Sequence, residues 1–180
     1  GSALTADGRA GLALLVTHIA AAAGALSWMG AEWLARKRAS LLGLCSGVVA
    51  GLVAITPAAG FVSLRGALVI GLVAGVACYW GATALKRMLR ADDSLDVFGV
   101  HGVGGLVGAV LTGLLADPAI SGVQASLSAQ LIACVAVLGY SVVMTTVVLW
   151  VTSRFVALRV SEGDERTGLD LSLHNEQLGH

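Results

Sequence analysis

Asp92-Asp93-Ser94-Leu95-Asp96-Val97-Phe98-Gly99-Val100-His101-Gly102-Val103-Gly104-Gly105 sets one imidazole inside a stretch too apolar for water. From Val97 to Ala116 no residue carries a formal charge, and His101 is the only ionisable side chain. A polar group in hydrocarbon costs free energy unless it faces a pathway or a partner, so an intramembrane His is a functional candidate by default. The glycines around it let another backbone approach closely. The three carboxylates before it mark where the helix leaves the membrane, and Asp96 is placed to cap that helix.

The rest of the chain agrees with a membrane setting. Of 180 residues, 57% are hydrophobic and 12% charged, where a water-soluble domain carries about 25% charged residues. Mean hydropathy is +0.86. Net charge is zero, so no nucleic-acid partner is called for. Cys45, Cys78 and Cys134 each lie in an apolar run without metal-type spacing. They read as small buried hydrophobes, and no metal or cofactor is expected.

A bilayer helix needs roughly 20 apolar residues to cross ~30 Å of hydrocarbon. Five stretches qualify: Ala10–Ala31, a span within Ser40–Ala59, Gly66–Leu85, Val97–Ala116 and a span within Leu127–Ser153. The expected class is an all-α membrane protein, with residues 1–160 forming the transmembrane region and 161–180 a polar tail. Arg36, Lys37, Arg38, Lys86, Arg87, Arg90, Arg154, Arg159 and Arg166 fall on one side of these spans, and only Arg9 and Arg65 on the other. The positive-inside rule then puts the C-terminus in the cytoplasm and the N-terminus outside. An odd number of spans with an outside start points to a preceding part or to partner chains.

Small residues recur at four-residue spacing: Gly43, Gly47, Gly51; Gly71, Gly75; Gly104, Gly108. In lipid, close backbone contact through such residues does much of the holding. A dinucleotide fingerprint is rejected, because its third glycine position holds Val107 and no strand precedes it. Asp92 and Asp93 are within reach of Lys86, Arg87 and Arg90. Trp28 and Trp33 read as interfacial anchors.

Asp92 to Gly105 resembles the signature of the ammonium transporters of the Amt/Mep/Rh superfamily, on the bacterial Amt side. Ser40-Leu41-Leu42-Gly43, the run from Ala50 to Gly60, Leu85-Lys86-Arg87 and the tail Glu165-Arg166-Thr167-Gly168-Leu169-Asp170 are similar too. The resemblance covers nearly the whole chain in one register. It implies an eleven-helix fold built from two inverted repeats, of which this chain is the last five helices and the N-terminal half is missing. It further implies a homotrimer in the cell inner (plasma) membrane, with one pore per subunit for ammonium or ammonia. The trimeric PII signal protein is a possible partner at the cytoplasmic face.

By the same resemblance His101 is the second of two paired pore histidines, and the first has no counterpart here. A neutral imidazole offers one donor and one acceptor, which suits ammonia. The ion itself meets a large desolvation cost in an apolar pore, and the family mechanism separates ammonium into ammonia and a proton. Val97, one turn before His101, is expected to line the inner pore. Ser2 matches the serine of the family's outer recruitment site, whose aromatic partners are absent from this chain. His18 matches the seventh helix of the family and reads as a polar packing residue. Two other functions stay open: an ammonium sensor module, and a truncated, non-conducting fragment. No nucleophile–base pair, metal cluster or phosphate loop points to an enzyme.

Overall fold

Each of the first three apolar runs is opened by a short polar side chain that takes up a free backbone donor. The Asp7 carboxylate accepts from Arg9 N at 2.8 Å and starts α1 (Gly8–Arg36). Ser40 Oγ accepts from Gly43 N at 2.9 Å and starts α2 (Leu41–Ile55). Ser63 opens α3 (Leu64–Trp80). The computed structural model describes residues 3, 4, 6–90 and 92–176. α3 runs on through a π-helical turn, Gly81–Leu85, into α4 (Lys86–Leu89). A second π-helical turn, Phe98–Gly102, leads into α5 (Val103–Leu115). Then follow α6 (Pro118–Ser121), α7 (Leu127–Thr152), α8 (Glu162–Thr167) and α9 (Leu169–His174). No strand forms among the described residues; a lone antiparallel bridge joins Val62 to Ala116.

Four helical stretches are long and apolar enough to cross a membrane: Gly8–Arg36, Leu64–Leu89, Phe98–Leu115 and Leu127–Thr152. The expected span within Ser40–Ala59 is shorter than that. α2 stops at Ile55 and the chain turns at Thr56-Pro57. Its 15 residues reach about 22 Å at ~1.5 Å each, short of ~30 Å of hydrocarbon. Of the five expected spans, four are therefore full-length helices, and the second is too short to count as one.

The chain divides into two units, Gly1–Cys134 and Val135–His180, with the boundary inside α7. In the first unit α1 packs against both α2 and α3, and the contact is backbone on backbone. A Cβ added at Gly24 would lie 2.5 Å from the Gly47 carbonyl oxygen and 2.9 Å from Gly51 Cα. Added at Gly71 it would strike the Ala20 carbonyl, at Gly75 the Gly24 carbonyl, and at Gly108 the Ala54 carbonyl. The four-residue spacing thus marks helix crossings. Gly43 differs, since its missing side chain leaves room for the Glu32 carboxylate. Buried Glu32 accepts from Ser40 N at 3.1 Å and from Ser40 Oγ at 3.0 Å. It ties the end of α1 to the cap of α2, with Arg36 3.7 Å away.

The core is built of small residues (Val16, Ala20, Ala54, Ala67, Ala74), whereas Leu14, Leu15, Leu26, Leu68 and Leu72 point outward. That inversion suits a bundle whose solvent is lipid. Two sequence expectations are corrected here. Trp28 is not an interfacial anchor: it is buried, stacks edge-on with Tyr79 at 5.6 Å and closes over Gly47. Of the three cysteines only Cys78 is buried; Cys45 is exposed and Cys134 intermediate.

In the second unit the polar tail folds as α8 and α9. Arg159 Nε donates to Glu165 Oε1 at 2.7 Å. That hydrogen bond, and then the charge of the guanidinium, hold the Glu165 carboxyl below its ordinary pKa. A carboxyl lowered on folding stabilises above its unfolded pKa, and loses that contribution as pH falls through its folded value. Acidification below the ordinary carboxylate range should therefore loosen α8. Amide exchange across Glu162–Thr167, compared with Glu165→Gln, checks this: the variant should start looser and show no step in that pH range.

Candidate functional site

The His101 turn is fixed at its start by acidic residues. Asp93 Oδ1 accepts from Val97 N at 2.8 Å, and Oδ2 from Phe98 N at 2.9 Å. Asp93 therefore caps the helix, and the expectation for Asp96 is corrected. Asp96 sits at φ +56°, in the left-handed region. Its carbonyl accepts from Val100 N at 2.8 Å, but its carboxylate pairs with Lys86 Nζ. Lys86 also donates to the Asp93 carbonyl at 3.0 Å. The cap fell to the residue whose carboxylate can fold back over the first turn. Asp96, at the bend itself, presents its carboxylate to the neighbouring element instead.

The two π-helical turns face each other. A Cβ at Gly99 would lie 2.5 Å from Ala82 N, and one at Gly81 would lie 2.8 Å from the Gly99 carbonyl oxygen. Next to this crossing the buried Cys78 thiol donates to the Val100 carbonyl at 3.5 Å. π turns are often found at functional sites. Here they bring the residues on either side of His101 against α3, while His101 and Val97 themselves stay exposed. Within the described residues no hydrogen bond holds the His101 ring.

Lys86 and Asp96 lie on the wall of a cavity of about 700 Å³, together with Trp28, Glu32, Ser46 and Tyr79. Neither His101 nor Val97 lines it. Ser2 lies outside the described residues. His18 is exposed on α1, and its Nδ1 is 2.9 Å from the Leu14 carbonyl oxygen one turn back. One ring nitrogen is thereby engaged within its own helix. No group of three or more His, Cys, Asp or Glu poised for a metal occurs among the described residues.

Residues 1–178 match the model of the Ammonium Transporter Family. The chain belongs to the ammonium transporter family. It is 41% identical over 186 residues to the ammonium transporter of Bacillus subtilis, covering 98% of this chain and 46% of that protein. Among solved structures it is similar to Saccharomyces cerevisiae Mep2, with a TM-score of 0.79 at 37% identity over 88% of this chain and 39% of that one. It also resembles a structure described as Sensor Amt Protein, with a TM-score of 0.85 at 27% identity, covering 94% of this chain and 43% of the other. The chain thus spans less than half the length of these relatives. As a member of this family, with several membrane-length apolar helices, it is a multi-pass membrane protein.

Sequence reasoning missed the two π-helical turns and the part played by Lys86. The signal available for the turns was the pair Gly81 and Gly99, which fall outside the regular four-residue glycine series. Lys86 was visible in the matching run Leu85-Lys86-Arg87 and among the cations near the acidic cluster, but with no role of its own.

Proposed function

We propose that this chain is the second part of an ammonium transporter and supplies one wall of its pore. The observation that carries this is His101: a lone imidazole in an uncharged span, exposed at the edge of the bundle with Val97 one turn away. An exposed His at membrane depth needs a partner or an aqueous path. The relatives are about twice this chain's length, and the other half would bring the facing wall with the first histidine of the pair. Transporters commonly place their path between two such repeats. Ammonium would give its proton to water at the mouth of the apolar stretch, and ammonia would pass along the neutral imidazoles.

The remaining assignments belong to the same reading. Ser2 would help recruit ammonium at the outer mouth. Residues 1–160 would be the membrane part, with the N-terminus outside. Residues 161–180 would be a cytoplasmic tail open to PII. Three subunits would each hold their own pore in the inner membrane. Asp96 would be structural.

The test is flux. Proteoliposomes holding these 180 residues alone should show no ammonium uptake above leak, because half the wall is absent. A full-length protein carrying this chain should take it up. Uptake by the 180 residues alone would remove the need for a second half. A silent full-length protein, properly folded, would overturn transport itself and favour a sensor.

A further inference from the structure

We propose that Lys86 is a positioning residue for His101: its ammonium group fixes the rotational setting of the turn that carries the imidazole. The consequence for transport rests on the reading of His101 given above; the mechanical claim does not.

The argument starts from Asp96. A left-handed backbone at a non-glycine residue costs energy and persists only where the surroundings hold it. Asp is among the few residues that tolerate it. At φ +56° Asp96 bends the chain immediately before the His101 helix. Lys86 holds that bend twice, through the Asp96 carboxylate and through the Asp93 carbonyl at 3.0 Å. Asp93 in turn holds the first two amides of the helix, Val97 N and Phe98 N. Lys86 therefore reaches the cap and the bend together.

A second point of contact makes this a matter of rotation. Lys86 directly follows the π-helical turn Gly81–Leu85. Gly81 in that turn meets Gly99 in the turn of His101, backbone to backbone. One contact alone would let the His101 turn pivot about it. Two contacts, Gly81 with Gly99 and Lys86 with Asp96, fix its angle. His101 lies two residues beyond the first contact and five beyond the second.

The pair is not placed for global stability. The Lys86 and Asp96 side chains are 30% and 35% exposed, and water screens partly exposed pairs. A purely structural salt bridge would alter the whole bundle slightly. A positioning pair would alter the His101 turn selectively.

The experiment uses the 180-residue chain in lipid nanodiscs with ¹⁵N-labelled histidine. In Lys86→Met, amide exchange across 97–102 should accelerate about fivefold or more, while α1 and the later part of α5 keep their rates. The His101 ring signals should shift while those of His18 stay. Lys86→Arg, which keeps the charge and a donor, should preserve both readouts. If Lys86→Met does not fold, Asp96→Asn, which removes the charge and keeps the size, is read in the same way. Unchanged exchange and unchanged His101 signals would overturn the proposal, as would acceleration spread evenly over α1, α3 and α5. A shifted ring in Lys86→Met together with normal flux in full-length His101→Ala would leave positioning standing and sink the pore reading instead.

Discussion

Replacing His101 by Ala in a full-length transporter carrying this chain should cut selective ammonium flux about 100-fold or more. The size follows from what the ring is asked to do. An ammonium ion taken whole into an apolar path meets a large desolvation cost, and His101 is the only ionisable side chain from Val97 to Ala116. Passage as ammonia needs a group that both accepts and donates a hydrogen bond, and a neutral imidazole does both. Alanine does neither. Sodium and potassium cannot shed a proton, so selectivity against them should depend on the same ring. Uptake into proteoliposomes, measured for ammonium and for potassium side by side, checks this. His18→Ala is the control: one nitrogen of that ring is engaged within its own helix at Leu14, and loss of the ring should leave flux near the starting level. Unchanged ammonium selectivity in His101→Ala would remove the role assigned to it.

Much of this architecture was legible in the sequence because lipid imposes a simple code. Charge-free runs gave the long helices, and glycines four apart gave the crossings, since only a residue without a side chain permits backbone contact there. Other features depend on neighbours and escaped. α2 ends where Pro57 announces a stop, but hydropathy over the run did not show how short the span becomes. Trp28 looked like an anchor by type and position, but Tyr79 and Gly47 from other helices draw it inward. Asp96 was the expected cap and Asp93 was set against the nearby cations; the structure gives the cap to Asp93 and the Lys86 pair to Asp96. What separated them was the left-handed backbone at Asp96, a conformation no pattern of residue types announces. The π-helical turns leave no hydropathy trace, because an extra residue in a turn changes the backbone hydrogen bonding and not the composition of the run. Around the candidate site, His101 and Val97 were found by chemistry and resemblance. The clamp that holds their helix emerged only from the distances.

Gly24→Ala tests the α1–α2 packing with a single methyl. Its Cβ would fall 2.5 Å from the Gly47 carbonyl oxygen and 2.9 Å from both Cα and N of Gly51. All three obstacles are backbone, so no side chain can swing aside. α3 meets the same place, where Gly75 lies against the Gly24 carbonyl. Relief therefore requires α1 to move away from α2. That would open the neighbouring contacts of Gly47 with Ala25 and of Gly51 with Ala21. Overpacking a core usually costs about 1–3 kcal/mol; backbone against backbone on two helices puts this case at about 3 kcal/mol or more. Gly30, six residues on in the same helix, has nothing within 4 Å of its added Cβ. There the methyl meets open space, and the gain in helix propensity should stabilise by about 0.5–1 kcal/mol. Thermal unfolding of the two variants in the same detergent should therefore move in opposite directions from the parent chain. Equal stability of Gly24→Ala and the parent would mean that α1 and α2 do not touch at this crossing, and the small-residue account of the bundle would fail with it.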